Sequence, residues 1–308
     1  MVQMAPRIRN RSGTFMGIFR AARPEKNAPM IGLIFGGSLL MGGHLEVSAL
    51  TIASVTMLIG GALTTHINVL TDADLDRWSK PHLLSGLRQH WKMSRAVIVC
   101  EAVVTMGGLT VLVLDDRSGA ATMLGIGICL AVLYSYNFFA RDPVKQRFKA
   151  TWWTHAIVFL GGYFVLWLTG ALCSPPDHHD RFWRFWPLMA SASMSDYGLA
   201  LSESSFDAHE ERQHGLRTTA ALLGARRTAS LAAALPAATI GPLIVLSPGM
   251  PEAKWAFLPS ALLALISTLA VVWSLRDDRA NRHTSLPDLA FFAGRFYLVV
   301  ALTFIRQV

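Results

Sequence analysis

Five oxygen-bearing side chains recur at helical spacing in two distant parts of the chain. Asn68, Asp72 and Asp76 stand four residues apart, and Asp207 and Glu211 repeat the interval. On a helix, positions four apart share a face, so each set forms a stripe of oxygen ligands. Asp74 and Glu210 fall off the stripes and read as solvated or supporting groups. Both sets follow long apolar stretches, where carboxylates are costly enough to require a role. A single Asp-x-x-x-Asp pair at a helix end is more often a solvated cap than a site. Two such pairs in one membrane-spanning chain suit Mg2+, a hard cation that joins carboxylate oxygens to those of a diphosphate. Arg77, Lys80 and Arg212 lie close by in sequence and would neutralise the remaining phosphate charge. Departure of a diphosphate leaves an allylic carbocation. That cation needs a chamber that excludes water and aromatic faces to stabilise it. Tyr134, Tyr136, Phe138, Trp152, Trp153 and Tyr197 are the aromatic candidates.

The elements that position these groups are read from composition first. Of 308 residues, 52% are hydrophobic and 16% charged, and mean hydropathy is +0.39. A soluble domain carries about a quarter charged residues, so the chain is expected to be an all-α, polytopic membrane protein, one domain over 1–308. Apolar stretches of about twenty residues mark bilayer crossings. Nine are expected, at 28–44, 47–70, 94–115, 119–139, 151–172, 183–204, 219–246, 254–275 and 287–306. The sixth carries several Ser together with Asp196 and Tyr197, and so should face an internal cavity rather than lipid. Cys100, Cys129 and Cys173 are far apart and read as small buried hydrophobes. His66, His82, His155, His209 and His214 lie near the stripes without an assigned role, and His178-His179 falls in an odd-numbered connection.

Lys and Arg concentrate in residues 1–26 and in the second, fourth, sixth and eighth connections, and are sparse in the odd-numbered ones. This alternation puts the N-terminus and both acidic stripes on the cytosolic face and the C-terminus outside. Residues 1–26 lack an apolar stretch beside a small-residue cleavage site, so they read as a basic cytosolic segment rather than a signal peptide. The charge of +8 follows membrane topology, and no nucleic-acid partner is expected. The two acidic regions weakly echo each other as an internal repeat.

The first stripe continues into Asp76-Arg77-Trp-Ser-Lys80-Pro81-His82, and the second into Arg212-Gln-His-Gly215-Leu-Arg217-Thr218. With Arg23-Pro24 and Tyr134-Ser135, these motifs resemble the UbiA superfamily of intramembrane prenyltransferases over the whole chain. The resemblance implies nine helices around a central cavity, a cap of cytosolic loops, and Mg2+ bridging an isoprenoid diphosphate. It carries Mg2+-diphosphate binding onto Asn68, Asp72, Asp76, Asp207 and Glu211, and phosphate contact onto Arg77 and Lys80.

Several positions depart from the family pattern. Glu211 replaces an Asp, Glu203-Ser204 stand where Lys-Asp is frequent, and Leu83 stands where a basic residue follows Lys-Pro-His. A Pro-rich, Lys-containing run after Tyr-Ser is replaced, leaving Arg141, Lys145 and Arg147 as alternatives for its Lys. These changes make the chain look unlike quinone, haem or chlorophyll enzymes and more like a member serving secondary metabolism. The resemblance therefore implies prenyl transfer to a lipophilic, aromatic acceptor. Its alternative is a UbiA-type terpene cyclase, acting on a farnesyl- or geranylgeranyl-type diphosphate without an acceptor. A transporter without chemistry would leave the stripes broken, yet all five positions keep oxygen side chains.

Overall fold

The computed structural model describes residues 14–42, 45–73, 87–88, 91–139, 141–142, 147–246, 251–276 and 286–306. Within them the chain is helical, with α1 Thr14–Ala21, α2 Pro24–Asn27, α3 Ile31–Met41, α4 Val47–Thr71, α5 Trp91–Leu114, α6 Ser118–Ser135, α7 Trp152–Cys173, α8 Phe182–Gln213, α9 Thr219–Leu223, α10 Ala225–Leu246, α11 Pro251–Arg276 and α12 Leu286–Arg306. Seven of these, α4 to α7 and α10 to α12, are long and apolar enough to cross a membrane.

The other two expected crossings take different forms. The stretch at 28–44 becomes a 3-10 turn followed by the 11-residue α3, because Gly42 at positive φ ends the helix. The stretch at 183–204 lies inside α8, whose 32 residues carry too many polar groups to qualify by composition. Many of those groups point inward: Ser191, Ser193, Ser195, Asp196, Ser202 and Ser205 are all buried.

The helices form a ring. The first half runs α4, α6, α7 and the second α8, α10, α11, α12; α12 packs on α3, and α3 on both α4 and α7. The contact between α3 and α7 depends on glycine. A Cβ at Gly37 would collide with the Trp167 carbonyl, and one at Gly170 with the Ile34 carbonyl. This lets two helix backbones touch, a common device of membrane helices. Trp167 fills the space beside them, fully buried and stacked on Phe257 at 5.7 Å. By contrast α5 exposes Val99, Val103, Met106, Val111 and Leu114, as a helix facing hydrocarbon does. His66 ties α1 to this half of the ring. Its Nε2 donates to the Ile18 carbonyl at 3.0 Å, and its Nδ1 lies 2.9 Å from Glu101 of α5.

Candidate active site

Helix α4 ends at Thr71, so Asn68 occupies its last turn and Asp72 its C-cap position. An anion is disfavoured there, because helix carbonyls already make that end negative. The compensation comes from the connection between α6 and α7. Arg147 Nη1 stands 2.6 Å from Asp72 Oδ1, and Lys149 Nζ donates to Oδ2 at 2.8 Å. Lys149 also lies 3.9 Å from Glu211 of α8. It is aimed by its backbone: Phe148–Ala150 forms a 3-10 turn, the Ala150 carbonyl accepts the Arg217 N–H at 2.8 Å, and the Thr154 hydroxyl bonds the Phe148 carbonyl. Burial alone would lower the Lys149 pKa, but Asp72 and its neighbours reverse this and hold the ammonium above its ordinary range.

The second stripe stays helical throughout. Glu211 is buried and accepts the Thr218 hydroxyl at 2.5 Å; Thr218 in turn caps α9 by accepting from the Ala221 N–H. Burial pushes the Glu211 carboxyl up, partly offset by Lys149 and this hydrogen bond. On the facing wall, Ser135 donates to Asn68 Oδ1 at 2.9 Å and orients its amide.

Asn68, Asp72, Asp207, Glu211, Lys149 and Tyr134 all line one cavity of about 300 Å3, bordered by α2, α4, α6, α7, α8 and α12. One part of the wall is apolar and aromatic. Tyr134, Phe159, Tyr163 and Phe291 form a chain of aromatic contacts with ring centroids 5.4 to 5.9 Å apart. Gly60, Gly127 and Gly162 also line the cavity and add no side-chain bulk to its walls. At another point on the wall, Glu203 accepts from Arg23 at 3.1 Å and from Lys26, which also lies 4.0 Å from Asp288. Arg23 adopts the left-handed region, with φ of 47°, a conformation costly for a side-chain-bearing residue.

Not every expected residue reaches the cavity. Asp76, Arg77, Lys80 and Lys145 lie outside the described residues, as does much of the expected loop cap. Arg141 is exposed and does not line the cavity. Arg212 turns to the end of α9 instead, its Nε donating to the Ala221 carbonyl at 2.7 Å and its Nη2 to that of Leu222 at 3.5 Å; carbonyls unsatisfied at a helix end attract such donors. Among the aromatic candidates only Tyr134 lines the cavity; Trp152, Trp153, Tyr136 and Phe138 are exposed, and Tyr197 is buried elsewhere. Sequence reasoning missed Lys149, Ser135 as the Asn68 partner, and Phe159, Tyr163 and Phe291. Lys149 had one signal, its place as the last basic residue before the apolar stretch at 151–172.

No group of three His, Cys, Asp or Glu among the described residues could hold a metal unaided. This donor set still fits Mg2+, which is usually held by one or two carboxylates and completed by water and substrate phosphate oxygens.

The sequence profile of the UbiA prenyltransferase family matches residues 30–296. The chain belongs to this family. As a UbiA protein with seven apolar helices it is an integral membrane protein. Among solved structures it is similar to a UbiA homologue from Archaeoglobus fulgidus bound to GPP and Mg2+, at 12% identity and TM-score 0.66 over 96% of this chain and 100% of that one. It is also similar to a UbiA homologue from Aeropyrum pernix, at 16% identity and TM-score 0.62 over 92% and 99%. A digeranylgeranylglyceryl phosphate synthase aligns at 15% identity and TM-score 0.56 over 94% and 97%. At these identities the likeness establishes the UbiA fold. No curated protein matches the chain.

Proposed function

We propose that this UbiA protein ionises an isoprenoid diphosphate with Mg2+ and transfers the prenyl group to a lipophilic, aromatic acceptor. The observation that carries this reading is Lys149, set between Asp72 and Glu211 in a cavity that also has an aromatic wall. The homologue from Archaeoglobus fulgidus binds GPP in one structure and DMAPP in another, each with Mg2+, which supports the same ligand class here.

Mg2+, when bound with the substrate, neutralises charge on the departing diphosphate. Asn68 and Asp72 on one helix, with Asp76 after them in sequence, and Asp207 and Glu211 on another would hold it together with substrate oxygens. Lys149 would face the phosphates, Arg147 holds the Asp72 carboxylate, and Arg77, Lys80 and Lys145 are the further basic residues assigned to phosphate contact. The bond between C1 of the prenyl group and the diphosphate oxygen breaks, and the electron pair leaves with the diphosphate. Tyr134, Phe159, Tyr163 and Phe291 present π faces to the resulting allylic cation and exclude water from it. The acceptor's nucleophilic carbon then bonds C1, and a nearby base or water takes its ring proton. The polar end opens to the cytosol, the N-terminus lies on that side, and the acceptor belongs to secondary metabolism.

A second reading, cyclisation without an acceptor, is favoured by cavity size, since about 300 Å3 is at the low end for ligand sites. Product analysis separates the two. Purified protein is incubated with Mg2+ and geranyl, farnesyl or geranylgeranyl diphosphate, with and without a panel of phenols and quinols. Prenylated acceptor is the expected result. A cyclic hydrocarbon or alcohol formed without acceptor would overturn the transfer reading in favour of cyclisation.

A further inference from the structure

A second polar cluster lines the cavity, apart from Lys149 and its carboxylate partners. Arg23 and Lys26 reach it from α2, Glu203 from α8 and Asp288 from α12. Glu203 accepts from Arg23 at 3.1 Å and from Lys26, and Lys26 lies 4.0 Å from Asp288. All four residues are half-buried and border the cavity. Asn27 pins α2 by donating to the Ala22 carbonyl at 2.9 Å and to the Thr65 hydroxyl at 3.3 Å. Arg23 is held in the left-handed region, with φ of 47° and ψ of 59°, a strained conformation of the kind that gathers where ligands bind.

The cluster adjoins both the acidic stripe and the aromatic wall. Glu203 precedes Asp207 by four positions on α8, so it shares that helix face and stands about 6 Å from it along the axis. Asp288 precedes Phe291 by three positions on α12, a neighbouring place on the helix surface, and Phe291 packs on Tyr163 at 5.7 Å. An aromatic ring laid against Phe291 and Tyr163 would have Asp288 and Glu203 within reach of its polar substituent.

At this cluster two cations face two carboxylates, and the charges cancel. Glu25, exposed and outside the lining, places a further carboxylate 3.7 Å from Arg23. Ligand classes separate on this point. A diphosphate or a carboxylate would meet Glu203 and Asp288 with no surplus cation to offset them, the like-charge contact by which sites reject wrong partners. Hydrocarbon would strip water from four charged groups and return no hydrogen bond. An uncharged hydroxyl donates to the carboxylates and accepts from Arg23 and Lys26.

We propose that Arg23, Lys26, Glu203 and Asp288 form the subsite for the acceptor's head, and that their balanced charge selects an uncharged, hydroxyl-bearing acceptor over a carboxylate. The inference rests on the transfer reading above and adds the class of acceptor that the site takes.

The test is a competition. Full-length protein in detergent, with Mg2+ and geranyl, farnesyl or geranylgeranyl diphosphate, is offered phenols as ester and acid pairs, methyl 4-hydroxybenzoate with 4-hydroxybenzoate among them. The ratio of the two prenylated products is read by mass spectrometry, and partial loss of folded enzyme does not alter a ratio. Wild type is expected to favour the ester by about tenfold or more. Glu203→Gln leaves a cation in excess and should move the ratio about tenfold toward the acid, whereas Lys26→Met leaves a carboxylate in excess and should move it the other way. If Glu203→Gln does not fold, Asp288→Asn makes the same change of charge. A wild type that favours the acids, or a ratio unmoved in the variants, overturns the subsite while the prenylated products uphold the transfer reading. Prenylation of no acceptor overturns the transfer reading, and the subsite with it.

Discussion

The Lys149 ammonium donates to the Asp72 carboxylate at 2.8 Å although 77 residues separate them. The contact puts a cation at the negative end of α4 and, through the 3.9 Å approach to Glu211, joins the two acidic stripes. Replacing Lys149 with Met should lower kcat/KM for an isoprenoid diphosphate by about 100-fold or more, the usual loss when one aligned donor is removed. Lys149→Arg should recover only part, because a planar fork does not reproduce a compact ammonium. Steady-state kinetics with both variants check this; turnover by Lys149→Met within threefold of wild type would remove Lys149 from the site.

Chelation separates metal use from folding. Since no described group of residues can hold a metal unaided, EDTA should abolish turnover and leave the melting temperature of the substrate-free protein unchanged. Asp72→Asn and Asp207→Asn should each lose turnover by about 1,000-fold. Asp72→Ala should in addition melt earlier, because removing one partner of a buried ion pair costs about 3–5 kcal/mol. Wild-type rates in either Asn variant would argue against ligation by that stripe.

Arg212 gives a prediction of the opposite kind. Its guanidinium serves the Ala221 and Leu222 carbonyls, so Arg212→Ala should cost about 1–3 kcal/mol of stability and leave KM for the diphosphate unchanged. A raised KM at an unchanged melting temperature would return Arg212 to the phosphates.

Thr218 holds Glu211 by a 2.5 Å hydrogen bond and caps α9. Thr218→Ser should keep both functions. Thr218→Val should lose about 1 kcal/mol from the cap and reduce kcat about tenfold through a misplaced Glu211. Equal kcat in the two variants would leave Thr218 with capping alone.

Glycine substitutions test the packing of α3 on α7. Gly37→Val should prevent folding or lower the melting temperature steeply, because the new side chain meets the Trp167 carbonyl. Gly107→Ala meets nothing within 4 Å and should be neutral or stabilising by up to about 1 kcal/mol. Thermal melts in one detergent compare them directly.

Much of this architecture was legible from local pattern. Asn68 and Asp72, like Asp207 and Glu211, were readable as stripes because helical spacing depends only on near neighbours. The apolar stretches that became α4 to α7 and α10 to α12 were readable because a bilayer demands about twenty apolar residues in succession. Other features were not. Trp152 and Trp153 looked like cavity walls by composition, but the start of α7 turns both to the outside, and Phe159 and Tyr163 further along meet the cavity instead. Glu203 looked like a lost family position, yet the fold brings Arg23 and Lys26 to it from about 180 residues away.

The sequence by itself determined the chemistry on offer: oxygen side chains at one-turn intervals, basic residues beside them, and helices apolar enough for a membrane. Periodicity says which residues share a face, and residue type says what that face can bind. Tertiary structure decided which faces meet. It set Lys149 between Asp72 and Glu211, paired Arg147 with Asp72, placed Asp196 against Arg295, and brought Asn68, Asp72, Asp207 and Glu211 to one cavity. Those choices depend on contacts between helices distant in the chain, set by close approach at Gly37 and Gly170 and by the ring of packed helices, and no local spacing encodes them.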